Sequence, residues 1–180
     1  GEVESSRARA RTGSVVSTLD GITLSFDYCA DIGHVTASSV SVPMLILAEC
    51  AGYGQSKSQF SQAHKRRFAG YSGPETGRAF VVVAPDTRGR GAVAGTIDYN
   101  RDAYDRLDCA IAAAAILEGL GATVLDHGRS FAVVGYSMGA VISLLGATDE
   151  PRLRRLFVGG VGEGVVACGG VDRRAYDNEV

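Results

Sequence analysis

No stretch of this 180-residue chain reaches the roughly 18 consecutive apolar residues of a membrane-spanning helix, so no span is expected. No charge of one sign dominates either. A net charge of −2 leaves no basic footprint for nucleic acid or an anionic membrane, and neither is expected as a partner. The opening stretch GEVESSRARARTG (1–13) has basic residues but no apolar run behind them, so it is not expected to act as a secretory signal. No Met opens the chain, which points to a processed product or a fragment. Cysteine is sparse: Cys29, Cys50, Cys109 and Cys168 lack the paired spacing of a zinc site, and a chain this long does not depend on a disulfide framework. Buried free thiols in a reducing cytoplasm are the expectation, with no metal and no cofactor.

What is present fits one domain with a sizeable core. The hydrophobic fraction of 46% and charged fraction of 21% are those of an ordinary globular protein. Its centre of organisation is FAVVGYSMGAVISLLG, Phe131 to Gly146. Phe131 to Val134 form a short apolar run without charge, as in a buried strand. Ala140 to Leu145 form a second, ending at Gly146, as in a buried helix. Between them, Ser137 is flanked by Gly135 and Gly139 at −2 and +2, the spacing of a nucleophile elbow. A side chain at either glycine would clash across so tight a turn. By itself this spacing also fits an ordinary glycine-rich strand-to-helix turn.

In chain order, residues 1–13 read as a loose segment and 14–180 as a single domain. Ser14 to Ser17 and Ile22 to Tyr28 alternate around Asp20-Gly21, which predicts a hairpin. Asp31 to Ser41 reads as a polar connection and Met44 to Ala48 as a central strand. Ser58 to Phe68 reads as a helix. Arg78 to Ala84 gives the next strand, followed by a loop from Pro85 to Gly91. Asn100 is placed to cap a helix from about Arg101 to Leu120, with Tyr104, Leu107, Ile111 and Ala114 on its buried face and Gly121 as its stop. Leu153 to Val158 reads as a further strand. A hairpin followed by alternating strands and helices predicts an α/β fold with a mostly parallel sheet and helices on both faces. Ligands of such sheets bind at the carboxyl ends of the strands, where Ser137 falls.

Taken together, Asp20-Gly21 with Ile22 to Tyr28, VVVAPDTRGRG (81–91), VVGYSMGA (133–140) and LRRLFVGGVG (153–162) resemble the α/β-hydrolase superfamily, in both order and spacing. The resemblance implies an esterase- or lipase-like serine hydrolase acting on a small acyl substrate. Ser137 would be the nucleophile, and the backbone N–H of Met138 one oxyanion donor. The second donor would come from Ala51, or next from Cys50, in the loop after Met44 to Ala48. There the family's His-Gly is replaced by Glu49-Cys50. The same resemblance makes Asp86 and Arg88 braces of their loop by hydrogen bonds.

The family orders its triad Ser, Asp or Glu, then His. All three histidines here, His34, His64 and His127, precede Ser137, and none is expected to be its base. For the acid, Glu163, Asp172 and Asp177 lie in the region some members use, and Asp172 is chosen. The expectation is therefore the N-terminal part of a serine hydrolase, incomplete at its C-terminus, without the final strands or a cap. The alternative is a catalytically silent binding module. A dinucleotide-binding domain is disfavoured, because Gly89, Gly91 and Gly95 do not make G-x-G-x-x-G and follow an internal strand.

Overall fold

The computed structural model describes residues 9–39, 42–48, 73, 76–124, 131–136, 139, 143 and 153–159. Strands β1 (Arg9–Val16) and β2 (Thr23–Ala30) form the opening hairpin, with Ser14 opposite Ser25. Helix α1 (Ile32–Ala37), strand β3 (Met44–Ala48), strand β4 (Val81–Asp86) and helix α2 (Tyr99–Gly119) follow. Strands β5 (Phe131–Tyr136) and β6 (Leu153–Gly159) complete one sheet in the order β1-β2-β4-β3-β5-β6. The pairs β1–β2 and β2–β4 are antiparallel, whereas β4, β3, β5 and β6 run parallel. This is the mostly parallel α/β sheet that the element pattern predicts.

Several boundaries differ from the sequence reading. β1 begins at Arg9, inside the segment expected to be loose, and its exposed Arg11 and Thr12 show why. An edge strand needs one buried face at most, so polar residues conceal it in a sequence. Gly13 pairs with Phe26 in that strand, and a Cβ there would sit 2.5 Å from the Phe26 ring. The expected polar connection after β2 contains α1, whose cap is the Asp31 carboxylate accepting from the His34 N–H at 3.1 Å. The cap of α2 is Asp98 rather than Asn100; its carboxylate accepts from the N–H groups of both Asn100 and Arg101. Pro85, expected in a loop, lies in β4 opposite Phe26. β3 pairs with β4 only through Val83, so Pro85 lies past that ladder, where a missing donor is tolerated. The expected helix Ser58 to Phe68 lies outside the described residues.

The core forms between the sheet and α2. Leu24, Phe26, Ile46, Val81, Val83 and Val133 pack with Leu107, Ala110, Ala113, Ala114 and Leu117. Cys29, Leu47, Val82 and Ala84 form a second buried cluster. Alternate residues of β4 thus serve two faces, and every residue of the strand is buried. Cys29 and Cys109 are buried and outside any disulfide, and desolvation pushes the Cys109 thiol well above its ordinary pKa. Among the described residues, no helix is long and apolar enough to cross a membrane.

The strand registers define two ends of the sheet. Ser25↔Asp86 sets the β1–β2 turn beside the carboxyl end of β4, and Ala48↔Gly135 aligns the carboxyl ends of β3 and β5. α1 follows the far end of β2, so His34 stands at the opposite end of the sheet from Gly135.

Candidate functional site

At the carboxyl end of β5, Gly135 pairs with Ala48 on one side and Val158 on the other. A Cβ on Gly135 would lie 2.5 Å from the Gly139 carbonyl oxygen and 2.7 Å from Ser143 Oγ. No side chain fits such an approach. Gly139 and Ser143 have helical backbone, and Ser143 Oγ donates to the Gly139 carbonyl at 2.7 Å. Between Tyr136, the last residue of β5, and Gly139, which is helical, lies an interval of two residues. Ser137 and Met138 occupy that interval and lie outside the described residues. So do Cys50, Ala51, Asp172, Glu163, Asp177, His64 and His127.

At the ends of β3 and β4 is a cluster of buried charge of which the sequence reading named only Asp86 and Arg88. Asp102, Asp105, Arg106 and Asp108 of α2 are all buried, as are Asp86, Thr87, Arg88 and Arg90 at the end of β4. Buried charge is costly unless paired and hydrogen-bonded, so the partners matter. Arg88 is gripped on both sides. Its Nε and Nη2 donate to Asp105 at 2.7 and 2.9 Å, and its Nη1 donates to Asp20 at 2.5 Å. Asp105 also accepts from Ser17 Oγ at 3.0 Å, and Asp108 accepts from the Thr18 N–H at 2.9 Å. α2 thus holds the β1–β2 turn as well as the β4 loop. These contacts hold Arg88 firmly charged, through Asp105 first and Asp20 second. Arg88 in turn holds the Asp20 carboxyl below its ordinary pKa. The loop-bracing expected of Arg88 is observed, with partners in two other elements.

Asp102 is the second centre. Its Oδ1 accepts from Thr87 Oγ1 and, at 2.6 Å, from Arg90 Nη1; its Oδ2 accepts from Arg106 Nε and Nη2 at 3.2 and 3.1 Å. Arg106 Nη1 then donates to the Leu47 carbonyl at 3.1 Å. The ends of β3 and β4 are tied together through one carboxylate. Arg90 is the least satisfied member, since its buried Nε and Nη2 have no hydrogen-bond partner among the described residues. The signal for this cluster was the spacing Asp102, Asp105, Asp108: every third residue places all three along one side of a helix. Among the described residues, no group of three or more His, Cys, Asp or Glu could hold a metal ion.

The family model described as "Alpha/beta hydrolase family" matches residues 48–178, more than half of the chain. The chain belongs to the alpha/beta hydrolase family. Solved structures agree with this alpha/beta hydrolase fold. DcsB in complex with its substrate analogue superposes with a TM-score of 0.60 at 18% identity, over 83% of this chain and 44% of that one. The 2-hydroxy-6-oxo-6-phenylhexa-2,4-dienoate hydrolase of Rhodococcus sp. strain RHA1 gives 0.55 at 16% identity, over 84% and 46%. An alpha/beta hydrolase from Sphaerobacter thermophilus DSM 20745 gives 0.52 at 27% identity, over 81% and 44%. This alpha/beta hydrolase chain spans less than half the length of these matching structures. No curated protein matches it.

Proposed function

We propose that the chain carries the nucleophile half of a serine hydrolase acting on an ester or related acyl substrate. The observation that supports this most is the contact at Gly135, where backbone and Ser143 Oγ stand within 2.7 Å of where a Cβ would be. Such packing is what a nucleophile elbow demands of the residue two before its serine. Gly135-Tyr136-Ser137-Met138-Gly139 has that serine in place.

Ser137 Oγ attacks the acyl carbonyl, and its proton passes to a general base. The tetrahedral oxyanion accepts from the Met138 N–H and from a second backbone N–H at Ala51 or Cys50. His34 is not that base, because it stands at the other end of the sheet. Asp172 is the proposed acid. Turnover of p-nitrophenyl esters by the intact protein tests the reading. Ser137→Ala is expected to abolish it, with a loss on the order of 10⁴- to 10⁶-fold. Equal turnover by the variant and the wild type would leave a silent binding module as the better account.

A further inference from the structure

We infer that Arg106 is a positioning residue for this reaction, holding the end of β3 in place beside Gly135. The inference rests on the serine-hydrolase reading and goes beyond it.

β3 pairs with β5 as far as Ala48 but with β4 only as far as Ile46. Its last two residues therefore have a described strand neighbour on one side alone. The Leu47 carbonyl lies one residue past the last β4 pair, and there Arg106 Nη1 donates to it at 3.1 Å. Arg106 is itself held by Asp102, which Thr87 and Arg90 fix to the end of β4. The strand support missing beyond Ile46 is thus replaced by a side-chain tie to the neighbouring strand's end.

Charge balance alone does not account for where the fork of Arg106 reaches. Asp102 already has Arg90 as a cationic partner, and the Nη1 donor of Arg106 goes to a neutral carbonyl. Nor would any cation do. Arg106 spans Asp102 and Leu47 with separate nitrogens of one planar fork, whereas a lysine offers one donor centre on a flexible stem. Ala48, the residue after Leu47, pairs with Gly135, and the proposed second oxyanion donor follows it in the chain. Oxyanion donors act only within about 2.7–3.1 Å of the developing charge, and a 1 Å misplacement can cost on the order of 100-fold in rate.

Arg106→Lys in the intact protein tests the inference through kcat and KM on a p-nitrophenyl ester and the rate constant for fluorophosphonate labelling of Ser137. The control is Thr12→Ala, which removes a 2.9 Å hydrogen bond to Asp27 within the hairpin. For Arg106→Lys, kcat and the labelling rate are expected to fall roughly 10- to 100-fold while KM moves less than about threefold. Thr12→Ala is expected to lower Tm and leave both rates unchanged. If Arg106→Lys lowers only Tm and reacts at the wild-type rate, the residue is merely structural and the inference is overturned, with the hydrolase reading intact. If the wild type itself does not label, that reading fails and the inference falls with it. Should Arg106→Lys not fold, Asp102→Asn, which keeps the side-chain shape, is expected to lower kcat in the same direction; an unchanged kcat overturns the inference equally.

Discussion

The two halves of α2 do different work. From Cys109 onward its buried residues are Cys109, Ala110, Ala113, Ala114 and Leu117, all packed on the sheet without a buried charge. Before Cys109 the buried set is dominated by Asp102, Asp105, Arg106 and Asp108. Apolar contact stabilises in proportion to area and is indifferent to direction. Buried ion pairs contribute little net stability but tolerate only one geometry. The ionic half faces the carboxyl ends of β3 and β4 and the hairpin turn, where a hydrolase needs fixed backbone. One helix thus divides stability and orientation between its ends.

The most severe way to break the ionic half is Asp102→Ala. Arg90, Arg106 and Thr87 would lose their shared acceptor, leaving buried cations uncompensated, and a loss of about 3–5 kcal/mol is expected in urea unfolding. In the apolar half, Leu117→Ala empties a fully buried site and is expected to cost about 2–5 kcal/mol, with reactivity at Ser137 unchanged. The two sites lie roughly 22 Å apart along the helix axis at 1.5 Å per residue, so in the double variant the losses should add. A coupling above about 0.5 kcal/mol would merge the two halves into one unit.

A smaller effect on stability but a large one on reactivity is expected at Gly135. Gly135→Ala drives a methyl to within 2.5 Å of the Gly139 carbonyl, costing about 1–3 kcal/mol as the turn shifts. Labelling of Ser137 should be lost even where the variant stays folded.

The mildest perturbation is Asp20→Asn. Arg88 holds the Asp20 carboxyl below its ordinary value, so the pair favours the folded state wherever Asp20 is ionised in both states. That contribution is present above about pH 4 and disappears as pH falls through the lower, folded-state value. The Tm gap between wild type and Asp20→Asn should therefore be widest near neutrality and close in acid. A gap that widened in acid would contradict the pairing.

Most parallel strands were legible as short apolar runs ended by turn residues, as at Met44 to Ala48 and Phe131 to Val134. β1 was hidden by Arg9, Arg11 and Thr12, polar residues that an edge strand accepts and a loose tail also shows. α2 was legible in extent and in part of its buried face, where Leu107 and Ala114 are buried as expected. Hydrophobic spacing chose Tyr104 and Ile111, both only half-buried, over Asp102 and Asp105, which are buried. Carboxylates read as surface until their arginine partners, brought together by tertiary contact, are known. Gly135 and Gly139 stood out because close backbone approach admits almost no other residue. Partners of Ser137 could not be read this way, since a base and an acid are defined by a geometry that one sequence does not print.

The most direct measurement is to treat the intact protein with a fluorophosphonate and map the adduct by mass spectrometry. A single adduct on Ser137, absent after heat denaturation or in Gly135→Ala, is the expected result. An intact, folded protein that carries no adduct at Ser137 would contradict the elbow reading.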